Sequence, residues 1–225
     1  MTRPALLLSA TVLALAGHAG TASANDLARV FHMDMIGANV SALERVTGPA
    51  LRSIGSARDY RVAGCDLTAT IEGGMVNALR LEPNARCTFN LNALLPNYGG
   101  QFAPVNTMTF GQFDAVTQRA GRYYADCLSS CGNAADPIVF EHWFGSRADL
   151  SFEVLLEAVQ VSDAALGAAD RWQQAMEREQ GADWVVAGEF NCTSQYDDIA
   201  HDAFRSVRIT AITIGFNLRT PECMR

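Results

Sequence analysis

The sequence predicts an α+β fold: short helices packed on antiparallel meander sheets, in a helix-plus-sheet plan that recurs once along the chain, with disulfide staples. Three observations predict it. Two helix-start boxes, Ser41-x-x-Glu44 and Thr109-x-x-Gln112, each open a short segment with an apolar face. Each box is followed by stretches in which apolar and polar residues alternate, the period of a half-buried strand. The cysteine count is even, at six.

The first 24 residues read as an export leader. Arg3 supplies a positive start, residues 5–16 are an apolar run too short to span a bilayer, and Ala22-Ser23-Ala24 is an A-x-A cleavage site. Cleavage after Ala24 is expected to give a periplasmic or secreted chain starting at Asn25, and no later apolar run is long enough to be a membrane span. Without residues 1–24 and their Arg3, 16 arginines face 24 acidic side chains, and there is no lysine. This balance argues against nucleic acid and against anionic lipid as partners, since both need a basic cluster. In an exported chain Cys65, Cys87, Cys127, Cys131, Cys192 and Cys223 read as disulfides. Nearest-neighbour pairing is the simplest of the possible connectivities.

In chain order, residues 25–95 form the first α+β unit. The Ser41 box starts a two-turn helix with Val40, Leu43 and Val46 on one face, ended by Gly48-Pro49. Residues 54–58 read as loop. Cys65, Leu67, Ala69 and Ile71 alternate with polar residues in a strand, Gly73-Gly74 is a hairpin turn, and residues 75–81 return. Cys87, Phe89 and Leu91 read as a third strand. A 65–87 bridge is then in tension with the meander, because strands one and three lie about 9.6 Å apart and a disulfide needs Cα atoms within about 7 Å. Both cysteines must sit at strand ends, or the strand order must differ. Residues 92–106, with Pro96, Gly99-Gly100 and Pro104, read as the boundary.

Residues 107–225 form the second unit, with a C-terminal helix and strand extension. The Thr109 box opens a helix with Phe110, Phe113 and Val116 on its face, ended at Gly121. Residues 122–124 lead to Cys127, and residues 138–144 and 151–161 read as strands. Residues 163–180 are the longest helix. Residues 184–192 read as a strand, 197–204 as a short helix and 207–216 as a β segment.

No complete catalytic signature or cofactor motif occurs. Asp197, Asp198, His201 and Asp202 share helical spacing and offer a metal set, or a solvated face with a local Asp–His pair. Glu141 and His142 are neighbours on a strand, so their side chains point to opposite faces. His142 beside Phe140 and Phe144 reads as a partnered core histidine. Ser129 and Ser130 between two cysteines read as a tight turn rather than a nucleophile. Trp143, Phe144, Arg147 and Asp149 combine aromatic and arginine side chains typical of interface anchors.

The runs GANVSALERVTGPA, DYRVAGCDLTATIEGGMVNALRLE and RCTFNL over residues 37–91 resemble the BamE-type module of bacterial envelope proteins. That fold in turn resembles each half of β-lactamase-inhibitor proteins, which carry two tandem copies. The resemblance implies a binding module with no transferable active site. The chain lacks the lipobox cysteine of the lipoproteins in that family and continues for 64 residues after Val161. The expectation is an exported, soluble protein of the cell envelope that binds another envelope or secreted protein without catalysis. The alternatives are a periplasmic hydrolase using His142 or His201 with carboxylates, and a small-ligand binder.

Overall fold

The computed structural model describes residues 24–98, 101–132, 136–146 and 151–223. Residues 1–23 of the leader lie outside them. Helices α1 (Ala24–Val30) and α2 (Val40–Thr47) precede four strands, β1 (Arg52–Ile54), β2 (Ala57–Val62), β3 (Cys65–Glu72) and β4 (Met75–Leu81). Helix α3 (Phe110–Thr117) precedes β5 (Arg122–Ala125), β6 (Ile138–Phe144) and β7 (Glu153–Val159). Helices α4 (Asp163–Gln180), α5 (Ala182–Val186) and α6 (Asp197–Phe204) follow, and β8 (Ala211–Gly215) closes the sequence of elements. The described strands form one antiparallel sheet of eight in the order β1-β2-β3-β4-β8-β7-β6-β5. The order reads as two meanders meeting at β8, so the helix-then-sheet plan does recur. No helix among the described residues is long and apolar enough to cross a membrane.

Strand alternation sends one set of side chains to the helices. Leu67, Ala69, Leu79, Ile212, Ile214, Val154, Leu156, Val139 and Trp143 join Leu43, Phe110, Phe113, Trp172 and Phe204 in a single core cluster. Leu155, Ala78, Ala211 and Tyr124 are also buried but lie outside that cluster, on the opposite face. The helices therefore cover one face of the sheet only. Residues 92–106, expected as a boundary, contribute Leu94, Leu95, Phe102 and Val105 to the same core, so the two halves share one interior. Gly215 is required by close approach: a Cβ there would overlap Asn77 O and lie 2.7 Å from Ala78 Cα, where β8 meets β4.

Several expectations are corrected. Residues 54–58 are no loop but the turn and first residues of the β1–β2 hairpin, with Ile54 opposite Ala57. Residues 87–91 are not a strand; Cys87, Phe89 and Leu91 instead dip into the core from an irregular segment. Residues 184–192 are helical turns, not a strand. Helix α2 is capped by Asn39, whose side chain accepts from the Ser41 amide, rather than by Ser41. The Thr109–Gln112 box forms as expected, with both reciprocal bonds present.

The cysteines pair as 65–87, 127–131 and 192–223. The geometric tension disappears because Cys65 is the first residue of β3 and Cys87 belongs to no strand, leaving their Cα atoms 5.5 Å apart. The 65–87 bridge closes a separation of 22 residues and 127–131 one of only 4. By loop-closure entropy these are worth about 3.4 and about 1.9 kcal/mol. Denaturant unfolding is expected to rank the double serine variants accordingly, with C65S/C87S losing more stability than C127S/C131S; the reverse order would contradict this account.

Candidate functional site

The described histidines that are buried lie on opposite faces of the sheet. On the helix side, α3 presents Phe110, Asp114 and Thr117 inward, an apolar stripe interrupted by one carboxylate. On β6, inward alternation places Glu141 between Val139 and Trp143, where it is fully buried. On α6, His201 turns inward beside Ala200 and Phe204. The three side chains meet. His201 Nδ1 lies 2.8 Å and 2.9 Å from the two oxygens of Asp114, and Nε2 lies 3.1 Å from the carbonyl of Gly121. A carbonyl only accepts, so Nε2 carries the hydrogen.

Ligand atoms of Glu141, Asp114 and His201 lie within 4.8 Å of one another, so two buried carboxyl groups share one small volume. Burial, and next the negative charge of Asp114, push the Glu141 carboxyl well above the usual carboxylate range. Tyr123, opposite Glu141 in the sheet, donates to Glu141 Oε2 at 3.4 Å, and its ring packs edge-on against His201 at 4.8 Å. Gly121 is obligatory here, since a Cβ would overlap the Glu141 carboxyl group. Glu141 Oε1 and Asp114 Oδ1 find no well-directed donor; the 2.8 Å approach of Nδ1 to Oδ1 is poorly aligned, and the 2.9 Å bond to Oδ2 is the better one. A pocket of about 370 Å³ between α3 and α6 opens onto Asp114 and His201, rimmed by Gln118, Arg119 and Arg205.

The set expected from helical spacing does not converge. Asp198 and Asp202 are exposed, and Arg119 bonds the Asp198 carbonyl at 2.7 Å and the Asp202 carboxylate at 2.9 Å. Asp197 accepts from the Tyr123 amide at 3.2 Å, and Asn191 bonds both backbone groups of Ala125, so these side chains block the β5 edge. Burial raises the Asp197 carboxyl to about 6, against the lowering effects of the Tyr123 amide and Arg122.

On the helix-free face, His142 Nε2 lies 2.9 Å from Glu153, whose oxygens also accept from the amides of Asn217 and Leu218. It is a partnered histidine, with its pKa lowered by burial despite Glu153. The expected surface is corrected at one position. Trp143 is 1 % exposed and packs edge-on against Tyr98 and Phe113, because alternation turns it into the core. Phe144 is 54 % exposed and lies 4.0 Å from the His142 ring. Arg147 and Asp149 lie outside the described residues. Ser130 adopts a positive φ of 58° in the Cys127–Cys131 turn, as a tight turn requires.

Sequence reasoning missed Asp114, Gly121 and Tyr123. The legible signal was a carboxylate at an apolar-face position, at Asp114 on a helix and at Glu141 on a strand. No family model, curated protein or solved structure matches the chain.

The Asp197 shift fixes a sign. Its folded-state pKa of about 6 exceeds its reference of 3.8, so the folded chain keeps the proton longer. Stability from this group is highest below that reference and falls as pH rises through this window. Relative to wild type, D197N is expected to gain on the order of 2 kcal/mol between pH 4 and pH 7 in denaturant titrations. Parallel pH profiles of the two proteins would show that burial does not hold the proton on Asp197.

Proposed function

We propose that the chain is an exported, non-catalytic module that binds another envelope or secreted protein through the helix-free face of its sheet. The observation that carries this is an arginine–aromatic cluster at the β5–β6 end of that face. Arg122 pairs in register with His142 and Tyr124 with Phe140, so all four side chains lie on one face with Phe144, and Arg122, Phe140 and Phe144 reach its surface while His142 and Tyr124 are buried beneath. The Arg122 guanidinium sits 5.1 Å over the Tyr124 ring. Side chains of this kind, held rigid by their neighbours, are the usual anchors of protein interfaces.

The rest of the face supports the same reading. Arg80 holds Glu157 by two bonds of 2.8 and 2.7 Å, and Asp59 is held by Arg52 and Thr68. These groups are pre-ordered, so docking costs little side-chain entropy. The two hollows on this face measure about 200 and 230 Å³, below the size of ordinary small-molecule pockets. Three disulfides favour an oxidising compartment, consistent with export. His142 is 2 % exposed and held by Glu153, which speaks against it as a catalyst.

The test is capture of envelope proteins on immobilised mature chain, followed by crosslinking and mass spectrometry. Crosslinks are expected on the helix-free face, and R122E/F144A is expected to weaken capture at least tenfold while circular dichroism shows the fold retained. By contrast W143A is expected to lose about 3–5 kcal/mol of stability. Undiminished capture by R122E/F144A, or crosslinks confined to the helices, would remove this surface from consideration.

A further inference from the structure

We propose that Asp114, Glu141 and His201 form a binding site for one divalent first-row transition ion, entered from the pocket between α3 and α6. This goes beyond protein binding by the opposite face and does not depend on it.

Each residue offers one ligand atom, and the three atoms lie within 4.8 Å of one another. An ion bound at about 2.0–2.2 Å holds its ligands about 3–4.4 Å apart, so only a small closure is needed. The ligands come from three different elements, a helix, a strand and another helix, all anchored in the core. The Gly121 carbonyl accepts from His201 Nε2 and thereby presents Nδ1 to the carboxylates. A ligating histidine that donates its other N–H to a backbone carbonyl is the usual second layer of a metal site.

Two further observations point to a ligand rather than to a closed polar network. Glu141 Oε1 and Asp114 Oδ1 are buried without a well-directed partner. The pocket of about 370 Å³ that Asp114 and His201 line gives an ion a route in and room for water on its open side. Charge agrees as well: two carboxylates and a neutral imidazole balance a divalent cation, which removes the cost of burying two acidic groups together. The mixed nitrogen and oxygen set suits zinc or a neighbouring ion, whereas calcium takes six to eight oxygens. Thiolates do not compete, since all six cysteines are in disulfides.

The competing arrangement is a hydrogen-bonded network, with Glu141 as a neutral acid donating to Asp114. E141Q separates the two, because a carboxamide also donates to Asp114 but is a poor ligand. Untagged mature chain, stripped with chelator, is titrated with Zn²⁺ by calorimetry and with Co²⁺ by visible absorption. The expected result is one ion per chain, a higher melting temperature with metal, and Co²⁺ bands without sulfur charge transfer. E141Q and D114N are expected to bind at least tenfold more weakly, and E141Q without metal to melt as the stripped wild type does. Absence of binding by the wild type overturns the site whatever the variants do. Equal binding by E141Q and D114N also overturns it and assigns the ion elsewhere, with the exposed His32–Asp34 pair, 3.3 Å apart, as the first place to look.

Discussion

The architecture depends on β8. This five-residue strand pairs with β4 on one side and with β7 on the other, and among the described strands no other backbone pairing joins the two meanders. Its sequence, Ala-Ile-Thr-Ile-Gly, fits both neighbours: Ile212 and Ile214 enter the shared core, Thr213 faces away, and Gly215 lets the β4 backbone close in. The Arg80–Glu157 pair reaches across β8 from β4 to β7 and repeats the same linkage in side chains. Because Glu157 is nearly buried, neither partner can be left alone without exposing an uncompensated charge. One sheet, one core and one uninterrupted helix-free face all follow from this insertion.

The two faces of the sheet handle polar groups differently. On the helix side, Glu141, Asp114 and His201 sit among aromatic rings, and their charges must be cancelled locally. On the other side, Glu153 joins His142 to the amides after β8, so a buried carboxylate ties the sheet to the C-terminal segment. The sheet edges also differ. Side chains of Asp197 and Asn191 occupy the backbone groups of β5. At the opposite edge β1 is exposed along its length, flanked by Leu51 and carrying Ile54, and an open edge of three residues is too short to template much pairing.

Where hydrophobic period and burial agree, the sequence was legible. The bounds read from the sequence for β6, 138–144, and for α4, 163–180, are those of the structure. The alternation at 87–91 misled, because apolar residues on an irregular segment bury as well as those on a strand. The hairpin of β1 and β2 was hidden, since its exposed first strand has no period to read. Residues 184–192 carry strand-like aromatic and branched side chains, yet Gly188 in a left-handed conformation breaks them into short helical turns. The disulfide partners could be named from spacing, but their compatibility with the sheet could not. The buried site was illegible as a set: Asp114, Glu141 and His201 are far apart in sequence, and only the packing of α3 and α6 on the sheet brings them together. Each nonetheless carried a local mark, a charged or polar side chain at a position where the period demands an apolar one.

The lateness of β8 has a consequence for how the chain reaches this state. Everything that the strand joins is synthesised before it, so until residues 211–215 emerge β4 and β7 are bare edges beside a half-closed core. Such pairings, remote in sequence, form slowly, and exposed edges invite association with other chains in the interval. Loss of β8 therefore differs from an ordinary truncation: it would leave two adhesive half-sheets on one polypeptide, each able to accept a strand from a neighbour.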